Sequence, residues 1–268
     1  MRSSHSVRGG ASSTGAYSPL VDDADEGTAK VAAEASGGLL NGLRATTALL
    51  CADDMRRPLA MGIGIMLFQQ FSGINAVIFY SGSILETAGM EDANLGGALI
   101  MAVQVLLTGV SMVLMDKAGR KVLLGLSATG MAASGLALAV FFVNGKKPTW
   151  LALMSLMTYI ATFSLGMGPV PWLFMGEIFP AHVRASACSL ATLVNWSTGF
   201  LVTFFFGILQ TAFGPAVVFV IFSTFCVGSA GFAFLVMPET KGKTFEMIAR
   251  EFKTASGRKV SEVAPRAY

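Results

Sequence analysis

Charged residues are scarce in this sequence. Only 13% of the 268 residues are Asp, Glu, Lys or Arg, about half the fraction that is usual in soluble domains. Because 53% of the residues are hydrophobic, the composition excludes an ordinary soluble domain and predicts a membrane protein. We therefore expect a lipid bilayer as its environment and no nucleic-acid partner.

Residues that bind metals or perform catalysis are also few. The chain has 3 Cys and 2 His, and their spacing is not that of a metal site. They are Cys51, Cys188, Cys226, His5 and His182. We expect free thiols, no disulfide framework, no metal and no cofactor. Because no His/Asp/Glu cluster and no Ser/His arrangement falls within an apolar run, we expect no catalytic residues and no enzymatic activity.

Long apolar runs without any charge make up most of the chain. About 20 apolar residues cross a bilayer. Four of the runs suit one span each, and the last suits two, with Gly214-Pro215 as the turn between them. The runs are 58–85, 93–115, 122–145, 148–176 and 185–238. The sequence thus predicts an all-α integral membrane domain of six transmembrane helices over residues 58–238.

The segments outside the spans differ from them in composition. Residues 1–38 are rich in Ser, Gly and Ala and have no apolar run, so we expect a disordered tail and no signal peptide. Residues 39–57 are predicted to be a cytoplasmic linker and 239–268 a cytoplasmic tail. With six spans, both tails share one side with every Lys and Arg except Lys146 and Lys147. The positive-inside rule then places both termini in the cytoplasm.

Amide side chains lie inside the first apolar run, where Gln69, Gln70 and Asn75 precede Tyr80. An amide without a partner in hydrocarbon costs several kcal/mol, so these residues indicate either a functional site or hydrogen bonds between helices. On one regular helix, Gln69 and Tyr80 fall nearly in line and Asn75 lies about 120° away. Gly73 would leave room on the face of Gln69. A wedge of amides beside a hydroxyl suits a neutral polyhydroxylated solute, because amides both donate and accept hydrogen bonds.

Two prolines and two glycines interrupt the fourth apolar run, in Gly166-Met-Gly-Pro-Val-Pro-Trp172. This segment cannot keep regular helical hydrogen bonds, and irregular backbone at membrane depth is tolerated only against protein or a water-filled cavity. Broken helices of this kind occur at transporter binding sites. Trp172 is therefore either a wall of a pocket or an anchor at the membrane interface.

Two further amides stand alone in apolar surroundings. Gln104 lies within the second run and Asn195 lies well inside the fifth span. Each is either part of a pocket or a packing contact between helices, and the sequence leaves both alternatives open.

Acidic and basic residues meet in two turns on the predicted cytoplasmic side. Asp116 can pair with Arg120 in the turn between the second and third spans, and Glu177 to Arg184 supplies a second acid and base nearby. Such a turn is either a solvated loop or a charge latch that stabilises one of two conformations. Exposed pairs by themselves contribute under about 1 kcal/mol.

Four segments of the sequence occur in the order and spacing of one transporter family. They are Gln69-Gln-Phe-Ser-Gly-Ile-Asn75, Asp116 to Arg120, Gly168-Pro-Val-Pro-Trp172 and Pro238-Glu-Thr-Lys-Gly242. Residues 42–252 resemble the C-terminal half of a sugar porter of the major facilitator superfamily, close to animal facilitative glucose and trehalose transporters. The resemblance implies a fold in which the six helices form one half of a major facilitator fold.

The resemblance also implies roles for individual residues. Gln69, Gln70 and Asn75 would hydrogen-bond the sugar, and Trp172 would help to enclose it. We also expect the isolated amides Gln104 and Asn195 among the substrate-binding residues. The gates would be formed by Phe79, Tyr80, Gly168, Pro169 and Pro171, with Tyr80 on the extracellular side. An intracellular charge network that favours the outward-facing state would contain Asp116, Arg120, Glu177, Arg184 and Glu239.

The chain departs from this family at single positions. Gln104 stands where many members have asparagine. Phe79, next to Tyr80, stands in place of an aromatic residue that carries a hydroxyl. Ser164 occupies a position that is acidic in several hexose carriers. Because of these differences, a disaccharide or a polyol remains an alternative to a hexose as the substrate.

The larger departure is that no counterpart of the family's first six spans is found. Because alternating access needs two bodies around one site, we expect facilitative transport of hexose or trehalose that is incomplete without an N-terminal half or a second copy. The plasma membrane is the expected location, and uniport is the expected mechanism. The alternative is a six-span membrane sensor, or an interaction partner of full-length sugar carriers, without transport of its own.

Overall fold

A computed structural model describes residues 55–87, 89–90 and 92–254. The predicted N-terminal tail, nearly all of the predicted linker and the end of the predicted C-terminal tail lie outside the described residues. Regular structure within these ranges is helical. The elements are α1 Arg56–Phe71, α2 Ile74–Thr87, α3 Ala93–Ala118, α4 Arg120–Val143, α5 Thr149–Thr162, a π-helix Phe163–Met167, α6 Val170–Ile178, α7 Ala181–Phe213, α8 Pro215–Leu235 and α9 Phe245–Thr254.

Six helical stretches among the described residues are long and apolar enough to cross a bilayer. They are Arg56–Thr87, Asn94–Ala118, Arg120–Val143, Thr149–Ile178, Ala181–Phe213 and Pro215–Leu235. The prediction of six spans is therefore confirmed, including the turn at Gly214 between the fifth and sixth spans. The first span consists of α1 and α2, and the fourth consists of α5, the π-helix and α6.

The first span is broken, so the projection of Gln69 and Tyr80 onto one regular helix was wrong. α1 ends at Phe71, and the backbone leaves the helical path at Gly73, whose φ is +81°. A Cβ at Gly73 would lie 2.3 Å from the ring of Phe222 on α8. The close approach of this ring and the left-handed backbone both require glycine, and together they rotate the faces of α1 and α2 relative to each other.

The fourth span is interrupted where its prolines predicted. The N–H of Gly168 donates to the carbonyl of Phe163 at 2.8 Å, which is the wider spacing of a π-helix. α6 then begins at Val170, and Pro171 lies in its first turn, where a missing N–H is tolerated.

Close approach between helices holds the six spans together. α4 packs along α8 and α5, and α1 packs along α7. At Gly166, a Cβ would lie 2.4 Å from the backbone oxygen of Leu123, so the fourth span lies directly on the backbone of α4. Small residues permit this contact in the membrane, where tight packing takes over from the hydrophobic effect.

The segment after the last span forms the amphipathic helix α9. Ile248 and Phe252 are buried, while Glu246 and Met247 are exposed. α9 contacts α6, so this short helix lies against the same end of the bundle as the charged turn between α3 and α4.

Candidate solute-binding site

A cavity of about 330 Å³ lies beside the breaks in the first and fourth spans. The six residues assigned to substrate binding from the sequence all line it. Its full lining is Gln69, Gln70, Ile74, Asn75, Gln104, Thr108, Phe163, Ser164, Gly168, Pro169, Trp172, Asn195 and Trp196. These residues come from five of the helices and from the broken segment of the fourth span.

The amides of this cavity form one chain of hydrogen bonds across three helices of two spans. Asn75 donates through Nδ2 to Oε1 of Gln70 at 2.8 Å, and Gln70 donates through Nε2 to Oδ1 of Asn195 at 2.8 Å. Asn195 donates through Nδ2 to Oε1 of Gln69, again at 2.8 Å. The chain joins α2 to α1, and α1 to α7, which explains how amides are accommodated at this depth.

Gln69 ends this chain on the broken backbone of the fourth span. Its Nε2 donates to the carbonyl of Met167 at 2.8 Å and to that of Gly168 at 3.0 Å. In a regular α-helix the Met167 carbonyl would accept from the N–H four residues later, but that residue is Pro171, which has no N–H. Gln69 therefore supplies the donor that the proline removes.

Two serines satisfy the rest of the interrupted backbone. The Leu165 carbonyl would pair in a regular helix with residue 169, also a proline, and it accepts from the hydroxyl of Ser111 on α3 at 2.8 Å. The hydroxyl of Ser127 on α4 donates to the Thr162 carbonyl at 2.6 Å and accepts from the Met167 N–H at 2.8 Å. Irregular backbone is thus tolerated in this span because other helices provide its partners.

The cavity residues fall into a buried layer and an accessible layer. Gln69 and Gln70 are only 3% and 4% exposed, and Asn195 is fully buried. Asn195 therefore combines the two alternatives that the sequence left open, since it lines the cavity and ties α7 to α1. The accessible layer contains Asn75, Gln104 and Trp172. Within the described part of the chain, the side chain of Gln104 has no hydrogen-bond partner.

Sequence reasoning missed some of the lining. Trp196 is 61% exposed, and Trp172 is 41% exposed, so two indole rings border the same cavity. Thr108 lies four residues after Gln104 on α3, and this spacing, which places side chains on one helical face, was a signal that could have found it. Phe163 and Ser164 enter the lining through the π-helix, whose register has no clear sequence pattern.

The residues predicted to form gates are separated in the structure. Gly168 and Pro169 line the amide cavity, and Pro171 lies in the first turn of α6. Tyr80 packs on Phe206 with ring centroids 4.7 Å apart, and it lines a second cavity of about 270 Å³ near the start of α8. Phe79 is 71% exposed and points away from the packed side of α2.

The charged turn is organised around Arg120. Its Nη2 lies 2.9 Å from Oε1 of Glu177, and its Nε donates to the same oxygen at 3.1 Å. Its Nη1 donates to the Met115 carbonyl at 3.0 Å and lies 3.8 Å from Oδ1 of Asp116. Because the Asp116 side chain is 80% exposed, the partly buried contact with Glu177 is the stronger of the two pairs.

The Glu239 side chain binds the backbone N–H groups at the beginning of α4. Its carboxylate accepts from the N–H groups of Arg120 and Lys121 at 3.0 and 3.1 Å, as an acceptor at a helix N-terminus does. A Cβ at Gly119 would lie 2.5 Å from Oε2 of Glu239. Glycine at this position therefore lets the carboxylate approach the backbone at the start of α4. The Glu239 carboxylate in this way joins the segment after α8 to the turn between α3 and α4.

Arg184 does not join this network in the described structure, contrary to the expectation from sequence. Its Nε donates to the carbonyl of Phe179 at 3.1 Å, and no ion pair with Glu177 is formed among the described residues. The extended backbone at Phe179 ends α6 and leaves that carbonyl without a helical partner, which Arg184 supplies. Oε2 of Glu177 is buried without a hydrogen-bond partner in the described part of the chain.

The environment of Glu239 predicts a dependence of stability on pH. Partial burial alone would raise the pKa of this carboxyl, but backbone N–H groups donate to it and hold the pKa below its ordinary value of 4.5. A lowered pKa in the folded state stabilises the fold fully above the unfolded value. This stability is lost as pH falls from about 4.5 through the lower folded value.

We expect Glu239→Gln to flatten that part of the pH profile, because the amide does not titrate. The measurement is the unfolding midpoint of the purified protein between pH 6 and pH 3. Glu246→Gln, which removes an exposed carboxylate from α9, serves as the control and should keep the slope of the parent. Equal slopes for the parent and Glu239→Gln would contradict the assignment.

Known proteins share this architecture. The profile of the family described as "Sugar (and other) transporter" matches residues 14–252. The facilitated trehalose transporter Tret1-1 of Drosophila sechellia is 44% identical over 215 residues, which cover 78% of this chain and 25% of that protein. The solute carrier family 2, facilitated glucose transporter member 8 of Mus musculus is 38% identical over 229 residues, covering 77% of this chain and 48% of that protein.

Solved transporters have the same fold. The inward-open xylose transporter XylE from E. coli superposes with a TM-score of 0.66 at 28% identity, covering 76% of this chain and 44% of that chain. The major facilitator proton:xylose symporter XylE bound to 6-bromo-6-deoxy-D-glucose gives a TM-score of 0.67 at 31% identity, covering 72% and 42%.

These findings define a multi-pass membrane protein whose six spans form one half of a major facilitator fold. The chain belongs to the sugar transporter family of that superfamily. It matches a quarter to a half of the length of the relatives named above.

Proposed function

We propose that this chain provides one half of the solute site of a facilitative carrier for a sugar, either a hexose or trehalose. The observation that carries the proposal is the amide-lined cavity, which places accessible polar groups and two indole rings together at the breaks of two spans. The facing half would come from an N-terminal half or from a second copy. Relatives named as trehalose and glucose transporters support this class of solute.

The lining of the cavity suits a neutral solute. All of its lining residues are uncharged, and its volume of about 330 Å³ is typical of sites for small molecules. Asn75 and Gln104 offer amide groups to sugar hydroxyls, which both donate and accept hydrogen bonds. The rings of Trp172 and Trp196 offer flat apolar faces to the C–H face of a pyranose.

We propose transport down a gradient by alternating access. Within the described spans, the carboxylates lie near the span ends, and Glu177 is paired with Arg120, so this half offers no proton carrier beside the cavity. The contacts of Arg120 and Glu239 would close the cytoplasmic end and favour the outward-facing state. The distribution of Lys and Arg supports cytoplasmic termini, and we propose the plasma membrane as the location.

Uptake measurements test the proposed function. Radiolabelled glucose and trehalose would be offered to transporter-deficient cells that express this chain alone or together with the first half of a sugar porter. Uptake that requires the added half supports the proposal. Absence of uptake in both cases, with the protein shown in the membrane, would contradict it and would favour a sensor or an interaction partner of full-length carriers.

Sugar affinity should depend on the accessible amides. We expect Asn75→Ala and Gln104→Ala each to weaken sugar binding by about 1–3 kcal/mol, because each leaves a sugar hydroxyl without its buried partner. The measurement is equilibrium binding to the chain assembled with the added first half. Thr224→Ala is the control, since that exposed hydroxyl on α8 donates to the Val220 carbonyl of its own helix and lies outside the cavity lining. Parent-like affinity in both amide variants would rule out this binding surface.

A further inference from the structure

A buried tyrosine lies behind the break of the first span. Tyr159 on α5 is 1% exposed, and its hydroxyl donates to the backbone carbonyl of Ser72. Sγ of Cys226 lies 3.8 Å from the Tyr159 hydroxyl oxygen. Tyr159 does not line the amide cavity, yet its hydroxyl reaches the residue immediately before the positive-φ Gly73.

The break explains why the Ser72 carbonyl is available. In a regular helix it would accept from the N–H of Ala76, but the chain changes direction at Gly73, and the N–H of Val77 donates to the Gly73 carbonyl at 2.9 Å. Among the described residues no backbone N–H replaces that of Ala76. A buried carbonyl without a partner is costly, so the Tyr159 hydroxyl stabilises the broken geometry.

The two interrupted spans thus complete each other's hydrogen bonding. The fourth span supplies Tyr159 to the carbonyl freed at Ser72, and the first span supplies Gln69 to the carbonyl freed at Met167. In the first span both contacts come just before Gly73, and in the fourth span they come from before the π-helix and from its last residue. Each span thus carries the donor for the carbonyl that the other span leaves free. A change of angle at one break therefore moves the hydrogen-bond donor that the other break depends on.

We infer that Tyr159 is a positioning residue that sets the angle between α1 and α2 and couples the two breaks into one hinge. The hydrogen bond between Asn75 and Gln70 spans the first break at 2.8 Å, so this angle decides where the Asn75 amide faces the cavity. That consequence for the solute rests on the proposed function. The coupling of the two breaks does not.

Hydrogen exchange of the purified chain in lipid nanodiscs tests the hinge directly. Tyr159→Phe keeps the ring and removes only the hydroxyl. We expect exchange to accelerate about fivefold to tenfold at the amides of residues 73–80 and 163–168, as the loss of one buried hydrogen bond at a local opening predicts. Tyr159→Met, which replaces the ring by a flexible apolar side chain and also lacks the hydroxyl, should accelerate exchange in the same two segments.

Two control variants separate this role from general packing. Ser134→Ala removes a buried hydroxyl that donates to Gly130 within α4, and Cys226→Ala removes the other group beside the Tyr159 hydroxyl. Neither should accelerate exchange in both segments. Unchanged exchange in the Tyr159 variants would overturn the inference, as would an acceleration spread equally over α4 and α8.

Sugar binding provides the second readout and keeps the two proposals apart. With the added first half, Tyr159→Phe should weaken sugar affinity by up to about fivefold to tenfold, because the hydrogen bond that holds the angle of the Asn75 amide is lost in the bound state as well. Parent affinity combined with accelerated exchange would overturn the link between the hinge and Asn75. A parent that neither binds nor transports sugar would count against the proposed function, while the exchange result would still decide whether the hinge exists.

Discussion

Gly73→Ala is expected to destabilise the folded protein by about 2–4 kcal/mol. Gly73 has a φ of +81°, where a Cβ meets the backbone, at a cost of about 1–2 kcal/mol. The added methyl would also lie 2.3 Å from Cδ2 and 2.6 Å from Cγ of Phe222. Because Cγ is the fixed end of the ring, Phe222 cannot move aside without repacking α8.

The comparison with Gly82→Ala isolates this effect. Gly82 lies on α2, and a Cβ there would have no heavy atom within 4 Å, so its substitution should be neutral or slightly stabilising. The measurement is the unfolding of both variants and the parent in the same detergent or lipid. Similar stability for the two variants would show that the break at Gly73 relaxes freely.

Arg120→Ala is expected to cost about 2–3 kcal/mol and to open the cytoplasmic end of the bundle. The substitution leaves Glu177, whose Oε2 is already buried without a partner in the described structure, without its only ion pair there. Removing one partner of a buried pair costs about 3–5 kcal/mol, and partial exposure of both side chains reduces that value. The Met115 carbonyl also loses its contact with the guanidinium.

Cysteine labelling measures this opening. Met115→Cys reports on the cytoplasmic end and Ser83→Cys on the opposite end, each in a background without the other cysteines. In Arg120→Ala we expect faster labelling at position 115 only. Lys121→Ala is the matched control, because it removes a neighbouring charge and keeps the backbone N–H that donates to Glu239. An unchanged labelling rate at position 115 would contradict the hypothesis that the charged turn is a latch that stabilises one conformation.

The positions of the spans could be predicted because the bilayer imposes them. A charge-free run either is long enough to cross the membrane or it is not, and the predicted turn at Gly214 and the interruption at Gly168 follow from residues that a helix cannot accommodate. The four ordered motifs also identify the family from the sequence alone. These inferences need only local sequence and the properties of lipid.

The roles of the cavity amides could not be predicted in the same way. Gln69 has the sequence context of a sugar ligand, yet in the structure it donates to the carbonyl of Met167, 98 residues away. That carbonyl is free because Pro171 has no N–H, and no pattern around Gln69 records this. Arg184 likewise donates to the end of α6, because the geometry of Phe179 leaves a carbonyl there.

The sequence by itself determined that this chain has six spans, where the fourth is interrupted, and six of the residues that line the cavity. Only the tertiary structure decided which amides support the broken backbone and which are accessible from the cavity. Hydrophobic length acts locally and is readable along the chain. The partner of a hydrogen-bonding group depends instead on which backbone atoms distant segments leave unpaired, and only packing brings those segments together.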